Sequence, residues 1–216
     1  AVFDLLLQAI NQAGYAAGHD VAIALDLAAT DIYQEGLYHL RSEKRSFTSE
    51  EFIELVLRWI RNYPIISVED PLAEDDWEGW QKITAAIGDK VQIVGDDLFT
   101  TDLSRIERGI SLGAANAVLI KLNQVGTVTE TIASIRLAQE HGWVPVVSAR
   151  SGETEDTFIS HLAIATNAGQ LKVGSFSRSE RMAKWNEVLR IERHLGGRAK
   201  FIGKEVFRRV QTAENR

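Results

Sequence analysis

The chain has 216 residues, 45% of them hydrophobic, and sets 24 lysines and arginines against 30 aspartates and glutamates for a formal net charge of −6. That size supports one packed core, while a full eight-stranded α/β barrel usually takes about 250 residues. The acidic balance gives no field for nucleic acid, the absence of cysteine excludes disulfides, thiolate metal sites and cysteine nucleophiles, and no apolar run approaches the roughly 18 residues of a membrane helix.

Residues 1–10 lack the basic start and small-residue cleavage site of a secretory signal, so a soluble, cytoplasmic protein is expected. A leading helix is predicted over residues 1–13, closed by Gly14. The first strand is VAIALDLA, ending near Asp26. The following DIYQEGLYHLRSEKRS is polar, contains Gly36 and has no helical stripe, which predicts a hairpin or excursion loop on the catalytic face. Strand and helix then alternate: TSEEFIELVLRWIRNY, IISVED, AEDDWEGWQKITAAI, VQIVGDD, TDLSRIERGI and onward through AVLIKL, SAR and GQLKVGS. Such alternation predicts a parallel sheet, and strands apolar at nearly every position predict helices on one face and a barrel interior on the other. The count is one leading helix plus six βα units, a partial TIM-type barrel within a single domain, with a short tail from Leu195.

Capping-box spacing marks helix starts at Thr48 with Glu51, Thr127 with Glu130 and Ser177 with Glu180, and Gly88, Gly142 and Gly169 are read as helix ends. Trp77, Trp80, Ile83 and Ile87 form an apolar stripe facing the sheet. The basic group Arg178, Arg181 and Lys184 is read as a solvated helix face.

In a parallel barrel the carboxyl ends of all strands meet on one face, so polar residues ending apolar runs converge there. Asp26, Glu69 and Asp96 are three such carboxylates, and oxygen ligands from separate strands suit Mg²⁺; a helix cap or a lysine partner accounts equally for any one of them alone. Lys121 ends AVLIKL among apolar neighbours, where desolvation beside a divalent metal would make it a candidate base. Lys172 stands equivalently on the last strand, placed to hold a carboxylate or to act electrostatically on Lys121. Arg150 and Ser151, at a strand end before a helix, form a possible cradle for phosphate or carboxylate. The five histidines are scattered, and no P-loop, dinucleotide fingerprint or nucleophile elbow is present.

The segments SVEDPLAEDDWEGW, VGDDLFTT, LIKLNQVGTVTET, SGETEDT and GQLKVGS resemble the carboxy-terminal barrel of the enolase family, nearly end to end. The resemblance implies Mg²⁺ ligands at Asp26, Glu69 and Asp96, a catalytic base at Lys121, a phosphate-binding pair at Arg150 and Ser151, and a second active-site lysine at Lys172. It further implies dehydration of 2-phosphoglycerate, a small phosphorylated carboxylate, to phosphoenolpyruvate, in a family that commonly forms homodimers.

Two departures from the family pattern stand out. Neither an amino-terminal domain nor the ββαα opening of the barrel is present, so a fragment of a longer product, inactive alone, is expected. Ala149 stands where the family motif has a histidine, which implies a reduced rate, or another substrate as in the relative carboxyphosphonoenolpyruvate synthase. A non-catalytic scaffold is the remaining alternative.

Overall fold

The structure is a computed structural model describing residues 2–207, so Ala1 of the predicted leading helix and the end of the predicted tail lie outside the described residues. In chain order the elements are α1 (Val2–Gln12), β1 (Ile23–Asp26), β2 (Tyr33–Gln34), β3 (Leu37–Leu40), β4 (Arg45–Phe47), α2 (Ser49–Asn62), β5 (Ile65–Glu69), α3 (Trp77–Ile87) and β6 (Gln92–Gly95). They continue as α4 (Leu103–Leu112), β7 (Ala117–Ile120), α5 (Leu122–Val125), α6 (Val128–Glu140), β8 (Val144–Ser148), α7 (Phe158–Ala165), β9 (Gln170–Lys172) and α8 (Ser179–Leu195).

Six strands pair in parallel in the order β1-β5-β6-β7-β8-β9. Five strand intervals of about 4.8 Å would set β1 and β9 some 24 Å apart in a flat sheet. Instead Lys172 on β9 reaches Asp26 on β1 at 2.7 Å, so the sheet is curled as a partial barrel. The polar segment after β1 forms a separate antiparallel sheet, β2-β3-β4, the predicted excursion. Its Tyr38 is fully buried, stacks on Phe52 of α2 at 4.5 Å, accepts a hydrogen bond from the backbone of Ala73 and donates one to Asp76. The excursion is thereby fixed to the helical layer.

Successive strand residues point to opposite faces, and the sheet divides accordingly. Ile93, Val118, Ile120 and Val147 pack outward with Phe52, Trp80, Ile83, Ile106, Ile135 and Leu162 of the helices. Val94, Ala117, Leu119, Val144 and Val146 form a second cluster on the opposite, interior face. A polar layer crosses the interior, where the Gln92 amide donates to Ser67 and exchanges hydrogen bonds with Gln170. The tryptophan stripe of α3 is core, with Trp80 and Ile83 fully buried and the Trp80 indole donating to the Ala73 carbonyl.

Thr48 caps α2 in a reciprocal capping box with Glu51, and Thr127 caps α6 by accepting from the Glu130 amide. The third expected box does not form: α8 starts at Ser179, preceded by Arg178 at φ 73°, without a side-chain cap. Gly169 does not end a helix either, because α7 stops at Ala165 and Asn167 takes the left-handed turn at φ 51°, a conformation asparagine tolerates. Among the described residues no helix is long and apolar enough to cross a membrane.

Candidate active site

The two-residue period of the strands builds the site. Glu69, Asp96, Lys121 and Lys172 each lie two positions beyond an interior residue, respectively Ser67, Val94, Leu119 and Gln170, so their side chains crown the barrel interior at its carboxyl end. Register adds Asp26, which pairs with Glu69 across β1 and β5.

Two lysines organise these acids. The Lys172 ammonium donates to Asp26 Oδ2 and Glu69 Oε1, each at 2.7 Å. Burial disfavours its charge, but its hydrogen bonds to Asp26 and Glu69 and the charge of those carboxylates prevail and hold Lys172 above the ordinary lysine range. Of the two roles open to Lys172, holding carboxylates is the one its contacts display. Lys121 donates to Asp96 Oδ2, and both side chains are close to nine-tenths buried. The other Asp96 oxygen accepts from the Gln124 amide at 3.0 Å, whose carbonyl accepts from Thr101 Oγ1 at 2.5 Å. The Thr101 hydroxyl also accepts from the Lys121 backbone amide at 2.9 Å, so one buried threonine fixes the start of α5 beneath the ion pair.

Burial pushes Glu69 up to about 7, against the pull of Lys172 and with the repulsion of Asp26 and Asp96. The three predicted metal ligands therefore sense one another. Their oxygens are nonetheless not gathered round a point: the described carboxylates whose oxygens lie within 4.8 Å of one another are Asp70, Asp96 and Asp97. Asp70, not anticipated from the sequence, accepts from the backbone amides of Asp96 and Asp97 at 2.8 and 3.0 Å. It holds the turn that presents Asp96, and burial near Asp96 and Asp97 pushes its carboxyl up to about 8 despite those two donors. The sequence signal was only the doubled acid of SVEDP, in which Asp70 turns to the backbone of the VGDD turn.

Five carboxylates against two ammonium groups on one rim make a donor set of hard oxygens with excess negative charge, which fits a divalent cation. Such an ion among Asp26, Glu69 and Asp96 would take carboxylate oxygens now shared with Lys172 and Lys121.

Arg150 and Ser151 are exposed in the turn after β8, and among the described residues neither side chain hydrogen-bonds to this cluster. Ala149, half-buried at the strand end, donates its backbone amide to the Lys172 carbonyl at 3.0 Å and packs against the outer core, so the position departing from the family motif adjoins the strand of Lys172. The basic group of α8 is not uniformly solvated: Lys184 is fully buried, with its ammonium on the Thr154 carbonyl at 2.5 Å and on Glu153 at 3.1 Å. The loop carrying Glu153 folds back over α8 and covers it, which helical periodicity alone does not reveal.

Residues 1–210 match the family model described as the enolase C-terminal TIM barrel domain. The chain is similar to Enolase 1 of Desulfitobacterium hafniense (strain Y51), 57% identical over 205 residues, 94% of this chain and 47% of that protein. The chain thus spans about half the length of the curated relative it matches.

Proposed function

This chain belongs to the enolase family through its carboxy-terminal TIM barrel domain, and from that premise we propose that it is the catalytic barrel of a Mg²⁺-dependent phosphopyruvate hydratase, converting 2-phosphoglycerate to phosphoenolpyruvate. The observation that carries the reading is the paired arrangement on the interior rim, Lys172 on Asp26 and Glu69 and Lys121 on Asp96, which gathers a base candidate, a second lysine and three hard-oxygen donors from five strand ends.

In this reading Asp26, Glu69 and Asp96 hold Mg²⁺, which supplies positive charge to offset the second negative charge that develops on the substrate carboxylate. Lys121 Nζ, acting as the free amine after giving its own proton to solvent, accepts the α-proton, and the C–H electron pair forms the ene-diolate; that pair then makes the carbon–carbon double bond as the C3–O bond breaks, and the 3-hydroxyl leaves as water with a proton from solvent. Lys172 steadies Asp26 and Glu69 and stands beside the bound carboxylate. Arg150 and Ser151, past the end of β8, take the phosphate. The full-length product is expected to work as a cytoplasmic homodimer.

A second reading rests on Ala149. A methyl group beside the strand of Lys172 offers neither the charge nor the hydrogen bond of a histidine, which favours a relative acting on another phosphorylated carboxylate. The test is Mg²⁺-dependent phosphoenolpyruvate formation by the full-length gene product, its Ala149→His variant and its Lys121→Met variant. Turnover by the natural protein, with loss of α-proton exchange but retained Mg²⁺ binding in Lys121→Met, supports the hydratase. Turnover appearing only with histidine at position 149 supports the second reading, and none in either refutes the hydratase and points to a non-catalytic scaffold or another reaction.

A further inference from the structure

A fully buried lysine with no place in the chemistry above calls for a role, and Lys184 is that residue. Its ammonium donates to the Thr154 carbonyl at 2.5 Å and contacts Glu153 Oε2 at 3.1 Å. The other Glu153 oxygen, Oε1, accepts from the Arg150 backbone amide at 3.2 Å, and the Glu153 amide donates back to the Arg150 carbonyl at 3.2 Å. One carboxylate therefore spans from the buried ammonium on α8 to the backbone of Arg150. The base of the span is anchored separately, since Ser160 of α7 donates to the Lys184 carbonyl at 3.0 Å and His161 meets Glu187 at 3.1 Å.

We infer that Lys184 is a positioning residue for the anion-binding turn: through Glu153 and Thr154 it sets where Arg150 and Ser151 present themselves to the substrate phosphate. The inference rests on the hydratase reading for the identity of that anion. Physically, an exposed glycine-containing turn such as Arg150–Ser151–Gly152 has no packing of its own to fix it. A buried charge pair with directional hydrogen bonds supplies one geometry, because the ammonium, once desolvated, has no solvated alternative. The backbone that carries the Arg150 side chain is thus held in place before ligand arrives, which lowers the ordering cost of binding.

The test uses Lys184→Met, Lys184→Arg and Glu153→Gln in the full-length product, with KM and kcat for 2-phosphoglycerate, inorganic phosphate binding, and amide hydrogen exchange over residues 149–157. Expected are a KM raised about tenfold or more with kcat nearly unchanged, weaker phosphate binding and faster exchange confined to that turn, with partial rescue in Lys184→Arg. Should Lys184→Met fail to fold, Glu153→Gln decides by the same readouts. Lower thermal stability with unchanged KM, phosphate affinity and local exchange overturns the inference. If the natural protein does not turn over 2-phosphoglycerate, the hydratase reading fails by itself, and phosphate affinity together with local exchange still decides whether Lys184 sets an anion site.

Discussion

Replacing Lys172 with methionine removes the ammonium that joins the two outer strands of the sheet. Its two arms differ: the Glu69 side chain is 8% exposed, whereas those of Asp26 and Lys172 are 45% and 41% exposed. Breaking a buried pair costs about 3–5 kcal/mol and an exposed one under about 1 kcal/mol. The Glu69 arm therefore dominates, and solvent around Lys172 reduces the loss to about 2–3 kcal/mol at pH 8, where Glu69 is ionised. The cost depends on pH because burial pushes Glu69 up to about 7 in the fold, well above the usual carboxylate range. A raised carboxyl binds its proton more tightly folded than unfolded, so its ionisation weakens the fold as pH rises through that window, and the ammonium opposes the weakening. At pH 5 most folded molecules carry Glu69 neutral, and the substitution should cost only about 1 kcal/mol. Urea unfolding followed by tryptophan fluorescence, without metal, should show the midpoint falling by about 1 M at pH 8 and by clearly less at pH 5. Equal shifts at both pH values, or a larger one at pH 5, would refute the reasoning.

The same titration bears on metal binding: to ligate Mg²⁺, Glu69 must shed the proton it gains below about 7. Apparent affinity should fall up to about tenfold per pH unit below that point, with a proton released per ion near pH 6; calorimetry in buffers of different ionisation enthalpy that finds no release would count against Glu69 as a ligand. Thr101→Val leaves the Lys121 amide and the Gln124 carbonyl without their buried partner, an expected loss of about 2–4 kcal/mol. Thr101→Ser, which keeps the hydroxyl, should lose about 1 kcal/mol or less, and equal denaturation midpoints for the two variants would show that the hydrogen bonds contribute little.

Much of this architecture follows from local rules. The short runs apolar at nearly every position and the longer amphipathic runs between them specify alternating elements, and the polar residues ending the strands mark one rim, because parallel topology brings all strand ends to the same side. The capping box at Thr48 and the Thr127 cap on the Glu130 amide formed since each needs only four consecutive residues, although at Thr127 the Glu130 carboxylate takes the Thr127 hydroxyl and not the backbone amide that would complete the box. The box at Ser177 failed because the chain leaving β9 enters α8 at a strained Arg178, a constraint set by where the strand delivers it.

The sequence by itself marked Asp26, Glu69, Asp96, Lys121 and Lys172 as charged residues at strand ends and indicated the kind of chemistry they favour. It did not decide their partners: that Lys172 joins Asp26 to Glu69, that Asp70 turns from the solvent to hold two backbone amides, or that Lys184 lies beneath the Arg150 turn. Those outcomes belong to the tertiary structure, since Lys172 and Asp26 are 146 positions apart and their contact exists only once the sheet has curled. A buried charge is likewise settled by what packs over it, a competition between desolvation and specific partners that no local pattern encodes.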